Sequence, residues 1–270
     1  MQLKVIAYAR NGHTDKFGIP RQSREESPIL TRIVFEPEYN VREALRGIEG
    51  YSHLWLIWGF SEITRSREHE TTTVDINDWS PTVRPPRLGG NKRMGVFATR
   101  SPFRPNPIGL SSVKLLKVEY DGISEYRDTG TPMPETSKRI SLLVSGADVL
   151  DGTPIYDIKP YLSFSDSHPD AKNGFADDTK DRCLPVRWDL ISRQRLDIGS
   201  TSARHRPESS PISEKWQKDV HFILSQDPRP GYQNDPEREY KLDYDGWRVT
   251  FVVSDDTIIV QKVEKITKKE

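Results

Sequence analysis

The sequence predicts a mainly β protein: an N-terminal antiparallel β-barrel followed by a small α+β C-terminal domain. Three observations carry this expectation. Short strand-like runs recur through the first two thirds of the chain, separated by turn residues or polar loops. Long helical periodicity is scarce there. After about residue 190 the pattern changes to one amphipathic helix followed by an alternating hairpin.

The strand-like runs are Leu3–Tyr8, Thr31–Phe35, Leu54–Phe60, Gly95–Thr99, Ser111–Glu119, Arg139–Val144 and Asp148–Leu150. The apolar residues of the third are almost unbroken from Leu54 to Ile57, which predicts a central strand. One short helix interrupts the series, with Asn40 as its cap, Glu43 three residues on and Gly47 at its end. Three polar insertions, Ser61–Ser80, Asp121–Lys138 and Ser165–Arg182, read as loops. In the last third, Ser210-Pro211 opens a helix whose stripe is Ile212, Trp216, Val220 and Ile223, and Asp227-Pro228 stops it. Trp247–Val253 alternates like a strand, Ser254-Asp255-Asp256 turns, and Thr257–Val263 returns. The expected domains are therefore residues 1–165 and 190–270.

Composition narrows the functional classes. Of 270 residues, 30% are charged, yet 40 basic side chains balance 40 acidic ones, so no global field attracts nucleic acid. An RNA partner needs basic residues gathered locally. Cys183 is the sole cysteine, which excludes an internal disulfide and a cysteine-cluster metal site and fits a reducing, cytoplasmic compartment. No apolar stretch approaches a membrane span, and the opening residues run straight into a strand pattern without the apolar region of a signal peptide. The motifs of a Rossmann site, a P-loop and a nucleophile elbow are all missing.

Chemistry is concentrated in four segments. Between Arg84 and Arg104 lie Arg84, Arg87, Lys92, Arg93, Arg100 and Arg104 without one acidic residue, interleaved with Pro and Gly. These cations suit RNA phosphates, and equally suit a solvated loop paired with acids elsewhere. Asp151-Gly152 is a tight-turn signal, and the amides and the Thr153 hydroxyl after it can bind a polar ligand, or simply form a hairpin turn. The loop Gly18–Gln22 follows the first strand, and Tyr51–Phe60 is an aromatic strand in which His53 reads as structural.

At these segments the chain resembles the TrmO-type tRNA methyltransferases, also known as the UPF0066 or YaeB-like family. The matching stretches are Pro20-Arg21-Gln22, Ser52–Trp55, the run Arg84–Ser111, and Asp151–Pro154 continuing to Asp157 and Tyr161. Asp227–Pro230 and Trp247–Thr250 match the family's C-terminal domain. The resemblance implies a cytoplasmic homodimer that binds S-adenosylmethionine against a barrel, and the missing metal-ligand spacing predicts that it does so without metal. It implies methylation of N6 of threonylcarbamoyl-adenosine beside the anticodon of tRNA. Carried over by motif, the cofactor contacts are Pro20, Arg21, Gln22, Ser61, Glu62, Arg100, Leu110, Asp151, Gly152, Thr153 and Pro154. Family members tend to carry His-Gln where this chain has Ser61-Glu62. The tRNA contacts are assigned to Arg84, Arg87, Lys92, Arg93 and Arg104. The N6 nitrogen is a poor nucleophile, so a group must accept its proton, and Asp148, Asp157 and Tyr161 are the candidates. The alternatives are a non-enzymatic RNA-binding barrel and a barrel methyltransferase with another acceptor.

Overall fold

The computed structural model describes residues 2–20, 22–24, 26–60, 64–67, 70–73, 79–85, 92–121, 139–177, 183–189, 212–229, 233 and 235–266. The protein is mainly β. Its strands are β1 (Ala7–Arg10), β2 (Leu30–Phe35), β3 (His53–Gly59), β4 (Thr64–Arg67), β5 (Glu70–Thr73), β6 (Thr82–Val83), β7 (Met94–Gly95), β8 (Ile108–Asp121), β9 (Arg139–Ser145), β10 (Pro154–Pro160), β11 (Val186–Trp188), β12 (Tyr240–Tyr244), β13 (Trp247–Ser254) and β14 (Thr257–Lys265).

Six of these strands pair in a ring, β1-β10-β3-β8-β9-β2, and β2 returns to β1. The 14-residue strand β8 makes the closure possible. Its first half pairs with β3, from Gly59↔Ile108 to His53↔Lys114, and its second half pairs with β9. Between the halves the register shifts at Leu115/Lys117, and such a bulge bends a strand and deepens its twist. Inside the ring the period-2 alternation puts Ala7 and Ala9, Ile33, Leu54 and Leu56, Val113, Leu142 and Val144, and Ile155 in one apolar core.

The outer face of β3 is covered from within the chain. Trp55 Nε1 donates to Asp166 Oδ2 at 2.8 Å, and the Trp55 ring packs on Tyr161 at 5.5 Å. Both partners follow β10, Asp166 in the helical turn Ser163–Asp166. His53 likewise sits against Tyr161, and its Nδ1 is 2.9 Å from the Ser52 hydroxyl.

Several local expectations are corrected. Gly95–Thr99 is not a strand: only Gly95 pairs, and Val96–Ala98 forms a 3₁₀ turn. Asp148–Leu150 is irregular, and the strand lies after the Asp151-Gly152 turn, as β10. Its prolines occupy its first and last positions, where a missing N–H costs no ladder bond. The helix expected at Asn40–Gly47 is instead a single 3₁₀ turn, Arg42–Leu45, between two others at Pro37–Tyr39 and Ile48–Gly50, and Asn40 spends its side chain on the Ile140 amide at 2.8 Å. Within the first insertion β4 and β5 form a hairpin. Residues 122–138 and 178–182 lie outside the described residues.

The helix Glu214–Ser225 is capped by Ser213, whose side chain accepts the Trp216 amide at 3.1 Å, one turn beyond the expected Ser210. It covers a four-stranded sheet, β11-β14-β13-β12. The expected hairpin is β13–β14, and Asp255 and Asp256 adopt positive φ in its turn. The sequence pattern missed both flanking strands: β12, and β11, which is only three residues long and parallel to β14. The core beneath the helix contains Trp216, Val220, Ile223, Leu242, Phe251 and Ile258, together with Ile29, and Phe17 packs against it. Ile29 and Phe17 come from the segment between β1 and β2.

His13 lies at the same junction, 1% exposed, with its ring edge-on to Tyr244 at 5.3 Å. Burial lowers its pKa from 6.5 to about 4. The folded protein therefore holds His13 neutral where the unfolded chain protonates it. Stability attributable to His13 is complete above about pH 6.5 and is lost as the pH falls from there towards 4, by at most about 3 kcal/mol. Thermal midpoints of the wild type and His13→Phe, compared between pH 7 and pH 4.5, should converge in acid. Parallel curves would dismiss His13 as the titrating group.

Candidate functional site

Three chain segments meet at one rim of the strand ring. The first is Gln22-Ser23-Arg24 after β1, the second is Arg100 in the loop before β8, and the third is Asp148 after β9. Arg100 donates from its guanidinium to Gln22 Oε1. The Ser23 hydroxyl donates to the Ser112 carbonyl of β8 at 2.6 Å. The Arg24 amide donates to the Gly146 carbonyl at 3.2 Å.

Asp148 is the chemical centre of this group. The Ser111 hydroxyl donates to its Oδ1, and Ser111 Oγ in turn accepts Trp58 Nε1–H at 2.8 Å. Burial pushes the Asp148 carboxyl above the usual carboxylate range. The Ser111 and Ser23 hydrogen bonds and the Arg100 charge offset this only in part. The indole of Trp58 lies flat against β8 because residue 109 is glycine: a Cβ there would fall 2.2 Å from the ring. The alternation of β8 fixes the remaining lining. Ser111 points inward beside Leu56, and the neighbouring Leu110 points outward, 53% exposed. The other acceptor candidates are engaged elsewhere, Asp157 with Lys159 Nζ at 2.8 Å and Tyr161 with Trp55.

The turn Asp151–Pro154 is built differently from the sequence expectation. Its amides are spent on the protein: Asp151 N donates to His13 O, Gly152 N to Ala9 O, and Thr153 N to Leu150 O. Pro154 has none, and Thr153 is buried. The Asp151 carboxylate accepts the Asn11 amide at 3.0 Å and faces Arg10 at 3.6 Å. This turn thus ties β10 to β1, and offers a ligand its outer surface rather than free N–H groups. Pro20 is buried, and Arg21, Ser61 and Glu62 lie outside the described residues.

Of the cations assigned to tRNA, Arg87 lies outside the described residues. Arg84 and Lys92 are exposed. Arg93 donates to Thr82 Oγ1 at 2.8 Å, and Arg104 donates to the Val96 and Thr99 carbonyls at 3.4 and 3.2 Å. Those two hold their own loop together as well as carrying charge. Among the described residues no group of three or more His, Cys, Asp or Glu side chains could hold a metal ion.

Known proteins resemble this chain over most of its length. The family model for the tRNA-methyltransferase O N-terminal domain matches residues 8–167, and that for the TrmO C-terminal domain matches residues 200–266. The chain belongs to the tRNA-methyltransferase O family. The tRNA (adenine(37)-N6)-methyltransferase of Escherichia coli is 36% identical over 256 residues, covering 92% of this chain and 93% of the relative. The enzyme of the same name from Eikenella corrodens is 38% identical over 213 residues, covering 79% of this chain and 97% of the relative. The crystal structure of TrmO from Pseudomonas aeruginosa superposes with a TM-score of 0.66 at 27% identity, covering 98% of each chain. Within the tRNA-methyltransferase O family the motif at Pro20–Gln22 is legible in the sequence alone. Ser23, Ser111 and Trp58, which complete the Asp148 network, are not. Their signal is the alternation of β8 opposite β3, which the sequence pattern yields only as burial.

Proposed function

We propose that the protein is an S-adenosylmethionine-dependent methyltransferase acting on N6 of adenosine 37 of tRNA, with threonylcarbamoyl-adenosine as acceptor. The observation that carries the reading is the Asp148–Ser111–Trp58 network set beside Gln22 and Arg100, in a chain whose relatives carry that activity in their names. The residues present suit the cofactor: exposed Leu110 offers an apolar surface for an adenine ring, and Gln22, Arg100 and the outer face of Asp151–Pro154 offer polar partners. When bound, S-adenosylmethionine supplies a methyl group on a positively charged sulfur. The Asp148 carboxylate would take up the proton that N6 gives up as it receives the methyl group. A carboxylate with a raised pKa is a better proton acceptor at neutral pH. Beyond that, Arg100 and Gln22 orient the reactants, and the rim excludes water from them.

The finer reading follows the same resemblance: a barrel at 1–165, an α+β domain at 190–270, and a homodimer working in the cytoplasm. Among the described residues no helix is long and apolar enough to cross a membrane. A two-fold dimer is also the commonest assembly for soluble proteins. The deciding experiment incubates the protein with tRNA and methyl-labelled cofactor, and analyses the nucleosides by mass. One labelled methyl on threonylcarbamoyl-adenosine is expected. Cofactor binding without any methylated nucleoside would overturn the reading, and label on another acceptor would redirect it. Titration calorimetry of chelator-treated protein should still show cofactor binding.

A further inference from the structure

The basic loop carries two large aromatic side chains that the charge pattern conceals. Trp79 is 47% exposed and Phe97 is 75% exposed. Their rings stack on each other, 6.5 Å between centroids and 23° from parallel. Much of both rings stays open to solvent, yet the backbone under them is held firmly. Ser80 N donates to Phe103 O at 3.1 Å and Val96 N to Pro81 O at 3.0 Å. The strands β6 and β7 pair Thr82 with Gly95 and Val83 with Met94. Arg93 and Arg104 lock the same loop through Thr82, Val96 and Thr99. Burying two rings in a core would release more free energy than exposing them. A loop that fixes them at the surface is instead built to present them.

Their surroundings select the partner. Arg84, Lys92 and Arg100 are exposed in the same acid-free stretch. Phe97 is three residues from Arg100, so it lies within about 11 Å of that side of the site along the chain. Rings beside exposed cations match an unpaired nucleotide, whose base stacks and whose phosphate pairs. An acidic surface without bases would use the charges and leave the rings exposed.

We propose that Trp79 and Phe97 form a stacking platform for an unpaired base of the RNA substrate, next to the nucleotide that is methylated. This rests on the tRNA reading above. Base-on-ring stacking predicts that Phe97→Ala and Trp79→Ala each weaken tRNA binding and raise the KM for tRNA by about 5- to 100-fold. Cofactor affinity should stay unchanged. Phe97→Tyr should keep wild-type binding, while Phe97→Leu, apolar without a ring, should behave like Phe97→Ala. Binding is measured by anisotropy of labelled tRNA without cofactor, so it is read apart from catalysis. Wild-type tRNA affinity in both alanine variants would overturn the platform while leaving the methyltransferase reading intact. A Phe97→Leu variant that binds as well as the wild type would also overturn it. If Phe97→Ala instead halves the mass seen by light scattering, the rings belong to a contact between copies and the platform is wrong. A wild type that neither binds nor methylates tRNA would remove both readings together.

Discussion

Replacing Asp148 by Asn is expected to lower kcat for tRNA methylation by about 100- to 10,000-fold, the range that one positioned proton acceptor contributes. An Asn side chain can still accept the Ser111 hydroxyl and keeps the volume, but it cannot take a proton. Cofactor affinity should change far less than kcat. The pH dependence sharpens the test. Burial raises the Asp148 pKa, so the acid limb of the rate should lie above the ordinary carboxylate value of about 3.9, and the rate should fall as the pH drops through it. Ser111→Ala removes a hydrogen bond that favours the ionised form, which should move that limb to higher pH. Stability separates catalysis from damage. A carboxyl whose folded pKa is raised makes the fold less stable as the pH climbs through that range, so a neutral Asn should melt no lower than the wild type at pH 7. An Asp148→Asn enzyme within threefold of wild-type kcat would end the proton-acceptor role.

The second large effect is expected from Gly146→Ala. Gly146 follows β9 with φ of +85°, and a Cβ there would lie 2.6 Å from the Arg24 carbonyl oxygen. The left-handed conformation costs a non-glycine residue about 1–2 kcal/mol. Overpacking against backbone adds about 1–3 kcal/mol, because a carbonyl cannot rotate aside as a side-chain end can. Together these predict a loss of about 2–5 kcal/mol in denaturant unfolding. The damage should also reach the site: Arg24 N bonds to Gly146 O, so pushing the segments apart separates Ser23 from Asp148. Weaker cofactor binding should accompany the lost stability. Gly50→Ala serves as the control and should be close to neutral, since no atom lies within 4 Å of the place its new methyl would take and its φ is ordinary. Equal stability of the Gly146 and Gly50 variants would refute the clamp.

These two residues, Asp148 and Gly146, mark where the sequence stops being readable. Most ring strands were legible because a short apolar run such as Thr31–Phe35 or Arg139–Val144 needs only neighbouring residues. β10 was legible only as an extended segment after the Asp151-Gly152 turn, and its pairing with β1 and β3 came from the structure. Pro20, Gln22, Arg100, Leu110 and Asp151 could be chosen by motif. That Arg100 meets Gln22, or that the amides of Asp151, Gly152 and Thr153 are already spent, depends on residues as far apart along the chain as Ala9 and Gly152. Likewise the six cations from Arg84 to Arg104 were visible, but charge alone did not reveal that Arg93 and Arg104 brace the loop while Trp79 and Phe97 are displayed.

The segment between β1 and β2 answers to both halves of the molecule. Phe17 stacks on Tyr240 and Phe251, and Ile29 is 1% exposed in the C-terminal core, while Gln22 and Ser23, between them, reach Arg100 and β8. The loop is a span anchored on two piers. Cutting the chain after residue 167 would leave a strand ring whose candidate-site rim has lost one support, so a shortened protein would be impaired in its chemistry before it was impaired in its folding. Amide exchange should register this as common protection: the amides of residues 17–29 should open together with those of β12 and β13, although these lie far apart along the chain.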